Sequence, residues 1–383
     1  MGIRPQQQSI WSPVERYIKN RFMGYLEPLV AREALDPSVL DAMPVRRILV
    51  IRQHDQLGDF LLSIPALRAL RTRYPEAWIA VLVRDYFFDV ARLVPYLDDV
   101  IVAQEDALRW TGRSFREFWD RLRTPWDLTV VLNTVSHSLR SDLLAFFSRG
   151  TVVLGSADRT FPGSSRNFFY HLNAPGAAGI RHQSERNLDI VRFIGCDTED
   201  LREELLVPET EHLAACRELE ERAISGSVPL IALHLGAGKP LNRWPADRFA
   251  ALSKALREEF HAAVLVFWGP AEAGLRDEFV KCGESAAHLI GHPPLARLTA
   301  FLAKCDLVVC NDTGVMHLAS AVGRPTIALF GPTDPRDWMP VGGHTRALSG
   351  ENGDMRTIET ETVVRECRAI LERSGRHPAS SAR

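Results

Sequence analysis

Asp312, Thr313 and Gly314 fall between an apolar strand-like run (residues 307–310) and a helix-like run that turns Met316, Ala319 and Ala321 toward a core. A helix start carries unpaired backbone N–H groups and a partial positive charge, so it suits a phosphate. Gly314 lets that phosphate approach the backbone, Asp312 suits the N-cap position, and His317 falls one turn further, toward the same ligand. A second apolar run (residues 326–330) leads into Gly331, Pro332, Thr333, Asp334, Pro335 and Trp338. Loops outside the carboxyl ends of strands are where ligands bind in open α/β sheets. The same residues also fit an ordinary capped helix in an α/β core, so this segment alone does not fix a function.

A second strand–loop–helix stretch lies upstream, RRILVIRQHDQLGDFLLSIPALRALRTRYP, residues 46–75. Its apolar strand ends in a loop carrying Gly58 and Asp59, and Leu61, Leu62, Ile64, Leu67 and Leu70 then follow helical spacing. Gly58-Asp59 followed by Pro65-Ala66-Leu67, and roughly 250 residues later NDTGVMHLASAVGRPTIALFGPTDPRDWMP, resemble the two signatures of glycosyltransferase family 9, the heptosyltransferase family. The resemblance runs from about Arg46 to about Ile370. It implies a GT-B fold, two Rossmann-like domains facing a central cleft. It also implies an inverting transfer, without a catalytic metal or cofactor, of a sugar such as heptose. The donor would be a nucleotide sugar, ADP-linked by the family pattern, and the acceptor a glycolipid or glycan such as lipopolysaccharide core. A nucleotide-sugar epimerase of the same fold and an inactive nucleotide-sugar-binding protein are the alternatives.

Such a transfer needs a base for the acceptor hydroxyl and positive groups for the departing diphosphate. By the resemblance Asp59 is the base, a role compatible with capping the helix that follows. KPLNRWP matches the family's basic residue before Trp-Pro, which makes Arg243 the first choice for the diphosphate and Lys239 the second. Arginine offers a bidentate fork that lysine lacks. Donor contacts are expected from Asp312, Thr313, Gly314, His317, Thr333 and Asp334. Glu272 is expected at the ribose, with backbone groups of Leu289 and Ile290 at the base, and Trp268 either stacks on that base or packs. The first domain is expected to hold the acceptor, through Gly58, His137, Arg140 and Arg186. Arg181–Asn187 resembles a family segment with His and Arg at this spacing. The chain departs from the family in one stretch: many relatives carry DLVIDLxG where this sequence has Asp127-Leu128-Thr129-Val130-Val131-Leu132-Asn133-Thr134.

These residues need a scaffold, and the chain's bulk permits one. At 383 residues two domains are expected. A hydrophobic share of 46% and a charged share of 25% describe an ordinary globular protein, and a net charge of −2 gives no support to nucleic-acid binding. No apolar run reaches the ~20 residues of a membrane span, and the first residues lack a secretion signal's apolar core. The six cysteines and 12 histidines are scattered without metal-ligand spacing, predicting free thiols and no metal site. A cytoplasmic enzyme, peripheral on the inner face of the inner membrane, is expected.

Apolar runs at residues 48–52, 79–83, 100–102, 128–133 and 152–154 alternate with helical stretches, as do runs at 229–235, 262–267, 288–290, 307–310 and 326–330. That rhythm predicts two parallel sheets with helices on both faces. Residues 155–178 read as a long loop. The expected division is a helical extension (1–45), an acceptor domain (46–205), a nucleotide-sugar domain (206–360), and a closing helix with a loose tail (361–383). By the resemblance, the closing helix crosses back to the first domain. In the extension, Ser12-Pro13-Val14-Glu15 is a capping box. Val14, Tyr17, Ile18, Phe22, Tyr25, Leu26 and Leu29 line one face, with Arg16, Lys19 and Arg21 beside it. A helix over residues 13–29 either docks on the protein body or lies on an anionic membrane.

Overall fold

The computed structural model describes residues 27–375, apart from residues 29, 54–55, 107–108, 136, 159–165, 177–178, 180, 225 and 284–285. The helix expected from residue 13 lies outside the described residues up to position 26, as do His54, Asp55 and the tail from 376.

Twelve strands among the described residues form two sheets, and every pairing between them is parallel. The first sheet holds β1 (Arg47–Ile51), β2 (Trp78–Arg84), β3 (Asp99–Ala103), β4 (Leu128–Val131), β5 (Val152–Ser156) and β6 (Leu172–Ala174), in the order β3-β2-β1-β4-β5-β6. The second holds β7 (Leu230–His234), β8 (Ala263–Phe267), β9 (His288–Gly291), β10 (Leu307–Asn311), β11 (Thr326–Phe330) and β12 (Thr345–Ser349), in the order β12-β11-β10-β7-β8-β9. Counted from its own first strand, each sheet has the doubly wound order 3-2-1-4-5-6, whose direction of winding reverses beside the first strand. The switch points therefore lie between β1 and β4 and between β7 and β10.

Strands buried on both faces read as continuous apolar runs, and β1 shows why. Ile48 and Val50 point into one core while Leu49 and Ile51 point into another, and all four are fully buried. The core beneath Ile48 continues across the domain boundary to Met316, Leu318 and Ala319. Two strands were not legible as runs. Leu172–Ala174 lies inside the stretch read as a loop; it pairs with β5 at the sheet edge. Thr345–Ser349 pairs with β11 at the other sheet's edge, with Arg346 on its exposed side.

The chain crosses between the sheets near Leu205, whose N–H donates to Ala321 O at 3.1 Å, and Leu206, whose N–H donates to Leu93 O at 2.8 Å. The closing helix, Thr360–Arg373, does not cross back among the described residues. It packs on the helix Ala246–Phe260 and on β10 and β11, burying Val363, Cys367 and Leu371 in the second domain's own core. All six cysteines are free thiols, with Cys196, Cys305, Cys310 and Cys367 buried. Among the described residues, no helix is long and apolar enough to cross a membrane.

Candidate functional site

A cleft of about 720 Å³ opens between the two sheets, lined by the loops that leave the carboxyl ends of β1, β2, β7, β8, β9 and β10. Its second-domain wall includes Ala237, Gly238, Arg243, Trp268, Glu272, Gly291, Thr313 and Gly314. Gln56, Leu57, Asp85, Tyr86, Phe87 and Asp89 face them from the first domain.

Arg243 is held in the cleft wall by its neighbours. Trp244 is buried; its N–H donates to Asn311 Oδ1 (2.9 Å) and its indole donates to Ile358 O (3.0 Å). Asn311 in turn donates to Leu235 O and Gly236 O, tying the end of β10 to the loop after β7. From that anchor Arg243 Nε donates to Ala237 O (2.8 Å), and its Nη2 lies 3.4 Å from Glu272 Oε1. Glu272 also accepts from the Gly269 N–H at 2.7 Å. A Cβ on Gly236 would sit 1.6 Å from Glu272 Oε2, so the carboxylate keeps this position only beside a glycine and would have to shift for any larger residue. The guanidinium is thus prepositioned, with part of its donor set facing the cleft. His234, also lining the cleft, donates from Nδ1 to Gly236 O, and burial holds its pKa below the usual imidazole value against the pull of Glu272.

Thr313, with extended backbone, occupies the N-cap position of the helix Gly314–Ala321 without a side-chain cap hydrogen bond, one residue later than the Asp312 expected. The start of that helix faces the cleft. Asp312 accepts from Asn242 Nδ2 (2.9 Å), which also donates to Thr333. Burial pushes the Asp312 carboxyl up, opposed by Thr333 and by the charges of His317 and Lys239.

His317 does not face the cleft as expected. One turn into the helix it points at the first domain, 3% exposed, with Nδ1 2.7 Å from Glu203 Oε1. Helical rotation aims it at the domain boundary because Leu57 and Gly58 pack directly against this helix. Gly58 meets the His317 ring on the side where its Cβ would lie and is otherwise partly exposed. The side chains of Leu289 and Ile290 are turned partly into the cores, and Gly291, His292 and Pro293 just after them line the cleft. Asp334 caps the short helix Pro335–Trp338 and pairs with Arg336, because its carboxylate meets the Arg336 N–H at 3.0 Å. Lys239 is exposed beside the cleft. Trp268 lines the cleft, with the Arg276 guanidinium 5.7 Å from its ring centroid.

Asp59 is the third residue of the helix Leu57–Leu61, and its Oδ2 accepts from the Gln56 N–H at 2.9 Å. It is 9% exposed and sits just behind Gln56 and Leu57, which line the cleft. Arg52 lies beneath, donating to Asp59 O at 2.9 Å. The carboxylates that line the cleft from this side, Asp85 and Asp89, follow β2; no motif flagged them. Only the order of the strands brings that loop over Arg243.

The expected acceptor residues do not converge. His137 Nε2 lies 2.6 Å from the buried carboxylate of Asp142, which Tyr170 and Asn167 also engage. Arg140 is exposed and donates to Gln104 O. Arg186 lines a separate hollow of about 220 Å³ with Thr134, Ser156 and Asp158. Next to Thr134, Asn133 is 3% exposed, and neither polar atom of its side chain has a partner among the described residues. Arg181 is occupied by Glu185 and Asp189. His182, in the same stretch, ties the domains together by donating from Nε2 to Met339 O at 2.8 Å. Among the described residues, no group of three His, Cys, Asp or Glu side chains is arranged to hold a metal ion.

The sequence profile of glycosyltransferase family 9 (heptosyltransferase) matches residues 115–367. Lipopolysaccharide heptosyltransferase 2 of Salmonella typhimurium is 28% identical over 358 residues, covering 83% of this chain and 97% of that protein. Its Escherichia coli counterpart is 29% identical over 320 residues, covering 76% and 85%. Among solved structures, a glycosyl transferase family 9 protein from Veillonella parvula superposes with a TM-score of 0.76 at 21% identity, over 86% of this chain and 97% of that one. At that identity the likeness speaks for the fold, two facing Rossmann-like domains.

Proposed function

This chain belongs to glycosyltransferase family 9, and from that membership we propose that it moves heptose from an ADP-linked donor to the core of lipopolysaccharide, inverting the anomeric centre without a metal or cofactor. The substrates are those named for its relatives, the lipopolysaccharide heptosyltransferases and the E. coli ADP-heptose enzyme. One observation carries the mechanism: Arg243, braced by Ala237 and Glu272, shares a cleft wall with the start of the Gly314–Ala321 helix. A diphosphate laid between them meets a charged fork and a helix N-terminus together.

In the reaction the acceptor oxygen bonds to the anomeric carbon as the bond from that carbon to the phosphate oxygen breaks. The electron pair leaves on the nucleoside diphosphate, where Arg243 and the helix start stabilise it. The acceptor proton passes to Asp59, just behind the Gln56–Leu57 edge of the cleft wall. This step requires the Gln56–Leu57 edge to admit the hydroxyl, and Gln56 exchanges its hold on the carboxylate as the acceptor enters. The acceptor saccharide lies over the first sheet, with Asn133, Thr134 and Arg186 as polar contacts. The same reading puts the enzyme in the cytoplasm at the inner face of the inner membrane, where donor and lipid-linked acceptor meet.

The test is a panel of ADP-, UDP-, GDP- and dTDP-sugars, read by thermal shift and by product analysis with heptose-deficient core oligosaccharide. Stabilisation by ADP-heptose and a transferred product of inverted configuration are expected. Epimerised donor without transfer, or binding without turnover, overturns the proposal.

A further inference from the structure

One face of the first domain, away from the cleft, carries large apolar rings in water. The helix Gly112–Leu122 packs on β3 through Phe118 and Leu122, yet leaves Phe115 52% exposed; Phe147, at the end of the neighbouring helix Leu139–Phe147, is 42% exposed. The rings form a continuous row. Trp110 meets Phe115 edge-on (5.6 Å between centroids), Phe115 stacks on Trp119 (6.1 Å), and Trp119 meets Phe147 (5.4 Å).

The charges beside this row are unevenly placed. At 3.6 residues per turn, Arg116 and Arg123 flank the Phe115–Trp119 side of the helix, whereas Glu117 and Asp120 fall further round. Arg123 lies 5.5 Å from the Trp119 ring centroid, and Arg149 lines the same shallow groove as Trp119 and Phe147. Arg116, Arg123 and Arg149 have no carboxylate partner among the described residues, unlike Arg113, which pairs with Glu117 at 2.8 Å. Tryptophan and phenylalanine rings edged by unpaired arginines match the two layers of a membrane surface, acyl boundary and anionic headgroups. A protein partner would have to bring a matching carboxylate to each arginine, whereas an anionic bilayer offers headgroup phosphates everywhere along the row.

We propose that the aromatic row from Trp110 to Phe147, edged by Arg116, Arg123 and Arg149, is a docking surface for an anionic phospholipid bilayer. Apolar burial supplies part of the affinity. Each arginine brought to the anionic surface adds roughly five-fold, falling as salt rises. The surface is separate from the cleft, so vesicle binding and sugar transfer can fail independently.

The experiment is flotation of the full chain with vesicles of phosphatidylcholine alone or mixed with phosphatidylglycerol, with tryptophan emission followed in parallel. We expect at least ten-fold more protein on the phosphatidylglycerol vesicles at low salt and a blue shift of emission. Phe115→Ser with Phe147→Ser, and separately Arg116→Glu with Arg123→Glu, should each cut the bound fraction ten-fold or more at an unchanged melting temperature. The charge-reversed pair alters only polar flanks and keeps the test valid should the serine pair unfold. Equal flotation of both double variants and the parent overturns the proposal by assigning binding elsewhere, for instance to residues 1–26. Absence of flotation also overturns it. So does a parent that dimerises through this face, seen as a serine variant that sediments as a monomer.

Discussion

Gly58 and His317 touch across the domain boundary: a Cβ built on Gly58 would lie 2.9 Å from His317 Cδ2 and 3.0 Å from Nε2. The relationship is reciprocated within the same pair of helices, where a Cβ on Gly314 would lie 2.9 Å from Leu57 Cβ. Two glycines, one from each motif, therefore make room for the facing side chains, His317 and Leu57, so that the two short helices pack closely. What resembles a pair of ligand-binding glycines is also the joint that sets the width of the cleft.

Gly58→Ala should strain that joint. The imidazole cannot swing aside, since Glu203 holds its Nδ1 in a buried site. We expect a loss of about 1–3 kcal/mol, the usual range for overpacking, measured by urea unfolding. Unchanged stability would mean that the helices separate freely.

The His317–Glu203 pair should make stability depend on pH. Burial pushes the His317 pKa down, but the adjacent Glu203 carboxylate, helped by Asp312 and Asp59, outweighs it and leaves the pKa raised. A raised imidazole contributes fully below its unfolded value of about 6.5, and the contribution is lost as pH climbs through the folded value. The stability difference between the parent and His317→Gln should therefore be largest in mild acid and shrink above neutrality. Denaturant midpoints at pH 6 and pH 9 check this; a constant difference refutes it.

Asp59→Asn should retain the fold and donor affinity while lowering turnover about 100-fold, the typical loss for a general base. The amide oxygen can still accept from the Gln56 N–H, so stability should barely change, whereas Asp59→Ala should lose about 1 kcal/mol with the cap. Single-turnover kinetics with the two variants separate chemistry from structure. If Asp59→Asn is fully active and Asp85→Asn or Asp89→Asn is not, the base lies on the loop after β2.

Arg243→Ala should slow leaving-group departure while turnover persists in EDTA. Loss of activity in EDTA with rescue by Mg²⁺ would assign the diphosphate to a metal. Arg243→Lys should recover little, because lysine cannot reach both Ala237 O and the phosphate as a fork does. An unaffected Arg243→Ala would move the role to Lys239.

Gly236→Ala should remove Arg243's brace without touching the arginine. The new Cβ would fall on Glu272, and that carboxylate must leave its contact with the Gly269 N–H. Weaker donor binding with a near-normal fold is the expected outcome, read by calorimetric titration with ADP.

Apolar runs such as residues 48–51 and 307–310 were legible as strands because both faces of a parallel sheet are buried, so every position must be apolar. Asp312-Thr313-Gly314 was legible because it closes a strand and opens a helix, a local requirement written in consecutive residues, whereas Gly58-Asp59 and Arg243-Trp244-Pro245 were legible through the family resemblance. The edge strands Leu172–Ala174 and Thr345–Ser349 were not legible, since the first is only three residues long and the second is half-wet; the edges β3 and β9 kept a short apolar run and were legible. Nor were the orientations of His317, His137 and Gly58. Each depends on what a helix from another part of the chain presses against, and sequence spacing carries no record of that. The loop Asp85–Asp89 joined the cleft only through strand order, and the aromatic face became visible only once helices 112–122 and 139–147 lay side by side. By itself the sequence determined the two sheets and the loops that can bear chemistry; the packing of one domain on the other decided which of those side chains reach the cleft, because burial and contact are properties of neighbours in space.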